Sequence, residues 1–395
     1  MKILFNIILI SCLFIFYIFS RCTSKEQAGH IQEIKRSPIH AGLELVDTLI
    51  LPVDSVTQSQ HYYDQLIEYN GSVHYLIYNS HTSRLYGYNL SEEKLSFTIQ
   101  FPIDGPNSID NPGRFYFHND DSIFFIYSEQ LNTVKIYNKK GALVRRINSA
   151  LPTDKEDYWG TNELFYEFAY YPQTKSVGFW IYSGILENKS AQRTMMHCRY
   201  DIYSETARVF GELPYAFLST NYFPNVYLNG YSTPTQFIVY FLPSHEVQVY
   251  DHSGKILRRL KIKSRYMPEI VPGFIVKEGD KPDVEEEQRY NLKHPFYVKM
   301  FSNEDGSLHY RVVKHAADLK YPDGKRRNFY DRPFSVMILD KDFNLIDEVP
   351  LDGKTYDFFQ SFAWTDKLYI SLNNPLNPAF SDDKMQLAVF QIQPK

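Results

Sequence analysis

Cysteine is scarce in this sequence: three residues in 395, of which Cys12 and Cys22 fall in the first 22 positions and leave Cys198 alone in the rest of the chain. A disulfide within a folded domain is thereby excluded. Cys198 sits on an alternating apolar stretch and reads as a small buried side chain rather than a nucleophile or ligand. Long runs of one charge sign are missing too. With 42 basic and 46 acidic residues the formal charge is −4, and nothing supplies the electrostatic footprint that nucleic acid requires. Extended helical periodicity is rare. There is no HExxH, GxSxG, P-loop, dinucleotide glycine fingerprint or CxxC pair. An active site assembled from distant strands would leave no such trace, so enzymatic activity stays open. The twelve histidines lack ligand spacing; His294, His309 and His315 could converge through folding, but scattered histidines read first as isolated, satisfied side chains.

Aromatic residues, by contrast, are plentiful. Tyr at 32 and Phe at 29 suit pleated sheets packed face to face. The stretch Val247 to Ile262, VQVYDHSGKILRRLKI, reads as two alternating strands joined by a tight polar turn. Variants recur at Arg84 to Ile99, Val134 to Ile147, His197 to Leu213 and Val336 to Val349. Taking the residue before each turn's Asn or Asp as a marker gives Tyr88, Tyr137, Tyr200, Tyr250 and Leu339, spaced by 49, 63, 50 and 89 residues. A propeller blade needs roughly 40–50 residues, so the short gaps fit one blade each and the longer ones leave room for insertions.

Two further strands precede each hairpin, which makes each unit four-stranded. A sixth unit, Phe358 to Ile392, lacks its outer strand, while Leu43 to Pro52 is a strand without a partner. Pairing the two closes a ring and protects both edges. The expected fold is therefore all-β: a six-bladed β-propeller of four-stranded antiparallel blades over residues 43–395, closed by the N-terminal strand. The inner strands of blades three and four are expected at Glu163 to Tyr171 and Tyr222 to Leu228.

Connections of such a ring alternate between its two faces. Turns between first and second and between third and fourth strands share one face and are tight here. The other face carries Ser149 to Asn162, Ser183 to Arg193, Lys263 to Pro295, Lys314 to Pro333 and Asn373 to Lys384. Long loops on a rigid scaffold are where binding concentrates. Within them, Arg326, Arg327, Tyr330, Asp331 and Arg332 form a mixture suited to carboxylate, sugar or peptide contacts, against the plainer reading of a solvated loop. Tyr158, Trp159, Tyr222 and Phe223 lie near strand starts, where they would either line the channel mouth or pack between blades. Asp280, Asp283, Glu285, Glu286 and Glu287 lack the alternation and glycine of an EF-hand and read as a solvated segment; no cofactor is called for, with a structural calcium left open.

The first 22 residues are of another kind. Lys2 precedes Ile3 to Ser20, 18 almost unbroken apolar residues, a length just able to cross a hydrocarbon core at about 1.5 Å per residue. This is either a lipoprotein signal acylated at Cys22 or an uncleaved anchor helix; residues 23–42 are polar and read as a flexible tether.

Together the repeated VYD…G hairpin, the six units and the Cys-terminated leader resemble the six-bladed propeller lipoproteins of Bacteroidetes, related in architecture to NHL and TolB-like propellers. The resemblance spans about Leu43 to Lys395. It implies an extracytoplasmic, envelope-attached protein, periplasmic or at the cell surface, and brings no catalytic residues. The expected function is binding of a peptide, a glycan or an envelope protein on the long-loop face. The alternatives are a propeller lyase or hydrolase acting at the channel mouth, and a structural envelope scaffold.

Overall fold

The computed structural model describes residues 31–38, 41–54, 57, 64–109, 112–127, 133–148, 158–160, 168–183, 197–211, 214, 228–274, 283–327 and 331–394. They form six antiparallel sheets arranged as the blades of one propeller. Blade one, from the innermost strand outward, is Asp64–Tyr69, Ser72–Asn79, Arg84–Asn89 and Lys94–Gln100. Blade two is Pro112–Asn119, Ser122–Tyr127, Thr133–Tyr137 and Leu143–Asn148. Blades four and five end in Ile256–Lys261 and Leu345–Leu351. In blade six, Asp357–Trp364, Lys367–Ser371 and Lys384–Pro394 are completed by Ala41–Pro52, with Leu43 opposite Ile392 and Leu51 opposite Met385. The N-terminal strand closes the ring as its pairing pattern required.

The hairpin repeat has one physical cause. In all five copies the Asn or Asp after the marker turns its side-chain oxygen onto the backbone of the turn. Asn138 Oδ1 accepts from the amides of Lys140 and Ala142, Asp251 Oδ1 from Ser253 and Lys255, and Asp340 Oδ1 from Asp342 and Asn344. Asn89 and Asp201 do the same for residues two and three further on. Such side-chain turns are why Asn and Asp lead at these positions. Each turn also needs one left-handed residue, supplied by Gly141 and Gly254 but equally by Glu93, Glu205 and Phe343. A glycine is obligatory at 141, where an added Cβ would lie 1.9 Å from the Gln100 carbonyl oxygen.

Apolar side chains fill the seams between blades rather than a single centre. Leu49, Leu51, Tyr75, Tyr86 and Leu387 pack between blades six and one, and Leu76, Phe101, Phe115, Phe125 and Tyr137 between one and two. At about 1.5–3 kcal/mol for each large side chain withdrawn from water, these seams hold the ring.

The structure alters or adds detail to four sequence expectations. The inner strand of blade four is Leu228–Ser232, because the side chain of Thr233 accepts from the amides of Thr235 and Gln236 and fixes the turn there; residues 222–227 lie outside the described residues. In blade three, Ser176–Ser183 pairs with Ala169–Tyr171 and also with Tyr158–Gly160, and residues 163–167 of the expected strand lie outside the described residues. The acidic run enters a helix, Val284–Lys293, whose N-terminal amides are capped by Asp283 and whose first turn carries Glu285, Glu286 and Glu287, where the helix dipole favours negative charge. Finally, part of the expected tether is docked. Gln32–Glu33 adds in parallel to the outer edge of blade four, and the Lys35 and Ser37 backbone bonds to Leu345 of blade five. Ile34 packs on the apolar seam between them and Glu33 pairs with Lys261 at 3.0 Å, which accounts for the docking. Residues 32–38 and 41–52 thus lie as a belt along the outer rims of blades four, five and six.

Candidate functional site

The innermost strands of all six blades surround a central chamber of about 640 Å3. Its lower wall is formed by the strand ends and tight turns of blades three to six, including Pro172, Thr233, Asn303 and Trp364, and it reaches Asp64 and Gln65 at the strand start of blade one. The chamber therefore extends from the long-loop side to the tight-turn side, whereas the sequence pointed to the long-loop face alone.

Charge inside this chamber is held in a defined arrangement. Asp64 opens the inner strand of blade one, and its Oδ2 accepts the hydroxyl of Tyr75 from the neighbouring strand at 2.6 Å. Burial, then the Asp64 carboxylate, pushes the Tyr75 phenol well above its ordinary value, so it stays a donor. The Tyr75 ring stacks on Phe362 of blade six at 4.7 Å, and Phe362 stacks on Tyr369 at 4.9 Å, giving the wall a rigid aromatic face. Lys299, on the inner strand of blade five, reaches across to blade six. Its ammonium donates to the carbonyls of Phe359 at 3.0 Å and Ser361 at 2.6 Å. Burial lowers its affinity for the proton, Asp64 and Asp357 oppose that, and Arg114 adds to it. Asp357 opens the inner strand of blade six; burial raises its carboxyl, while the amide of Phe359 at 2.9 Å and the charges of Lys299 and Lys314 draw it back. On the opposite side, the guanidinium of Arg199 lies over the Tyr171 ring at 3.8 Å and donates to the His252 carbonyl. His252 is kept from protonating by burial and by that cation.

The Lys299 ammonium, the Arg114 guanidinium, the Asp64 carboxylate and several flat aromatic faces thus border one open volume, with Arg199 and Asp357 behind its wall. Such a set can bind an anionic group, accept a hydrogen bond and stack on a ring. Among the described residues no three His, Cys, Asp or Glu side chains converge to hold a metal ion.

The residues that the sequence singled out lie elsewhere. Arg332 is buried and donates to the main-chain carbonyls of Asn291, His294 and His315. Asp331 accepts the Tyr321 hydroxyl, and Arg327 lies over that ring at 4.1 Å while donating to the Asp318 carbonyl at 3.0 Å. Arg326, exposed, donates to Gln288 of the helix. Arg332 and Arg326 staple this segment to the helix, whereas Arg327 and Asp331 bond within the segment itself. Tyr158 and Trp159 lie on a short strand of blade three; Cys22, Tyr222, Phe223 and Tyr330 lie outside the described residues. Asp64, Arg114 and Lys299 were missed because each stands alone in sequence.

A family model described as a domain of unknown function (DUF4221) matches residues 41–350. Among solved structures, a DUF4221 protein from Bacteroides vulgatus superposes with a TM-score of 0.75 at 18% identity, covering 91% of this chain and 100% of that one. A putative exported protein from Bacteroides fragilis superposes with a TM-score of 0.54 at 11% identity, covering 93% and 100%. At these identities both establish the fold alone. No curated protein matches the chain.

Proposed function

The chain belongs to the DUF4221 family, and from that footing we propose that it is an envelope-attached binding propeller that takes a glycan or peptide ligand in its central chamber. The observation that carries this reading is the chamber itself, an aromatic-walled space at the centre of the ring bordered by the Asp64 carboxylate of blade one and the Lys299 ammonium of blade five. Charged groups held in fixed positions on the wall of such a space are suited to orient a polar ligand. Envelope attachment is supported by the apolar leader Ile3 to Ser20 ending near Cys22. Metabolic labelling with a fatty-acid probe, lost in Cys22→Ala, would test lipidation; retained membrane association without label would favour an anchor helix.

A thermal-shift screen of the purified full chain against glycans, peptides and divalent cations tests the binding reading. A ligand at a hundred times its dissociation constant contributes roughly 2.7 kcal/mol. A shift that disappears in Trp364→Ala supports the chamber; a shift that Trp364→Ala leaves unchanged moves the ligand elsewhere. No shift across the panel would favour a scaffold with a protein partner. An enzymatic alternative draws on burial, which lowers Lys299 and raises Asp357 from their ordinary values. Product formation abolished by Lys299→Gln would replace binding by catalysis.

A further inference from the structure

Charge is divided unevenly round the outer rim of the ring. The outer strands of blades two, three and four, Leu143–Asn148, Ala207–Phe210 and Ile256–Lys261, carry Arg145, Arg146, Arg208, Arg258, Arg259 and Lys261 and no carboxylate. Those of blades five and six, Leu345–Leu351 and Ala41–Pro52, carry Glu44, Asp47, Asp347 and Glu348 and no cation. Consecutive blades are neighbours, so one continuous arc of the rim is basic and the next is acidic. Part of the basic charge is used within the protein. Arg259 pairs with Glu246 at 2.7 Å, Lys261 with Glu33 at 3.0 Å and Arg145 with Glu205 at 3.8 Å. Arg146, Arg208 and Arg258 form no ion pair among the described residues, and Arg146 and Arg208 are exposed.

Apolar side chains stand exposed among these cations: Val144 on blade two, Leu257 on blade four, and Tyr203 in the hairpin of blade three, where Lys175 lies over its ring at 5.2 Å. Long cations beside isolated aliphatic and tyrosine side chains suit the headgroup layer of a lipid surface, where stems and ring enter the interface and charge meets phosphate. Leu45, Val46 and Ile50 are exposed on blade six as well, so charge and not apolarity distinguishes the two arcs. The place where the chain joins the ring points the same way. Ile31 lies at the rim of blade four, next to Gln32 and its partner Leu260. Ser20, which ends the apolar leader, is 11 residues upstream, a reach of roughly 40 Å even when fully extended. A bilayer that holds the leader therefore has blade four within that distance, and an anionic leaflet attracts the arc that blade four belongs to and repels the one beyond it. We propose that the basic arc of blades two to four rests on an anionic phospholipid leaflet, with the acidic arc turned to the aqueous side. This rests on the leader holding the chain at a membrane.

The test is photo-crosslinking of the full-length protein in vesicles of phosphatidylglycerol carrying a headgroup diazirine, with matched phosphatidylcholine vesicles as the neutral control and peptide mass spectrometry as the readout. Crosslinks to phosphatidylglycerol are expected in residues 143–148, 207–210 and 256–261, at least roughly tenfold above those in 41–52 and 345–351, the preference that two unpaired cations confer at such a surface. They should fall in about 1 M salt, where the screening length shrinks from roughly 8 to 3 Å. Arg146→Glu combined with Arg208→Glu should remove the crosslinks at 256–261 as well, without moving the melting temperature; crosslinks unchanged in that variant overturn the electrostatic seating. Equal labelling of every rim, or labelling centred on the acidic arc, overturns the orientation and leaves the leader's anchoring standing. If the full chain associates with neither kind of vesicle, the leader reading falls and the proposal with it. Protein crosslinks that join the basic arc of one copy to the acidic arc of another, in place of lipid crosslinks, assign the arc to a second copy and overturn the lipid surface.

Discussion

Two groups of charged residues in this propeller do opposite things with their hydrogen bonds. In the 315–333 segment each named cation is engaged by the protein: Arg332, buried, by three main-chain carbonyls, Arg327 by Asp318 and the Tyr321 ring, and the exposed Arg326 by Gln288. In the chamber, Lys299 and Asp64 are each partly satisfied and held still. The first group ties the chain to itself, while the second stands on the chamber wall. Density of charge in the sequence pointed to the first, and the number of charges says nothing about how their bonds are used.

The contrast can be broken most directly at Arg332. Replacing it by Met strands three buried carbonyls, and a loss of about 3–4 kcal/mol is expected in denaturant unfolding, with ligand binding at the chamber retained where the protein folds. A loss below about 1 kcal/mol would show that the staple is ornamental. Acid should act through two other buried groups. His245 is buried between blades four and five, its Nε2–H facing the Pro268 carbonyl at 2.9 Å and its Nδ1 accepting from Tyr297 at 2.7 Å; burial and then Arg311 lower it to about 4. His309 is held at about 4 by burial and Arg258. Between their ordinary value of 6.5 and about 4 the unfolded chain binds protons that the folded chain does not, so stability is full above the upper value and falls as pH drops through the window. A decline on the order of 2–3 kcal/mol is expected between pH 7 and 4, measurable by calorimetry and reduced in His309→Phe; a flat profile would contradict it.

Lys299→Gln sharpens the contrast from the other side. Its expected stability change stays within about 1.5 kcal/mol because an amide still reaches a carbonyl, while affinity for an anionic ligand drops by roughly tenfold. If stability collapses instead, Lys299 belongs with the staples. Smallest is Asp283→Ala, which removes the cap accepting from the Glu285 amide at 2.7 Å and should cost about 1 kcal/mol in melting experiments without affecting the chamber.

Much of the ring was legible because its rules are local. An Asn or Asp at 89, 138, 201, 251 and 340 writes each hairpin turn into neighbouring residues, and the unpaired strand at one end and the missing one at the other demanded each other. The helix at Val284–Lys293 left a fainter trace: its buried face is Tyr290 and Leu292, too few to set a period, although Asp283 followed three places later by Glu286 is a start signal. The chamber was not legible. Asp64, Arg114 and Lys299 stand on three blades and meet through closure of the ring, and none has a neighbour in sequence that marks it.

The belt has a mechanical meaning. A pull applied upstream of Gln32 first meets two residue pairs on blade four, then a single bridge at Arg36 and Leu345, and finally the register from Ala41 to Pro52 against blade six. The weak attachments sit nearest the load and the strong clasp furthest from it. Under tension the protein would pay out chain from the first two rims before the clasp that closes its circle is asked to slide, so a tug on the N-terminal side lengthens the leash before it opens the ring.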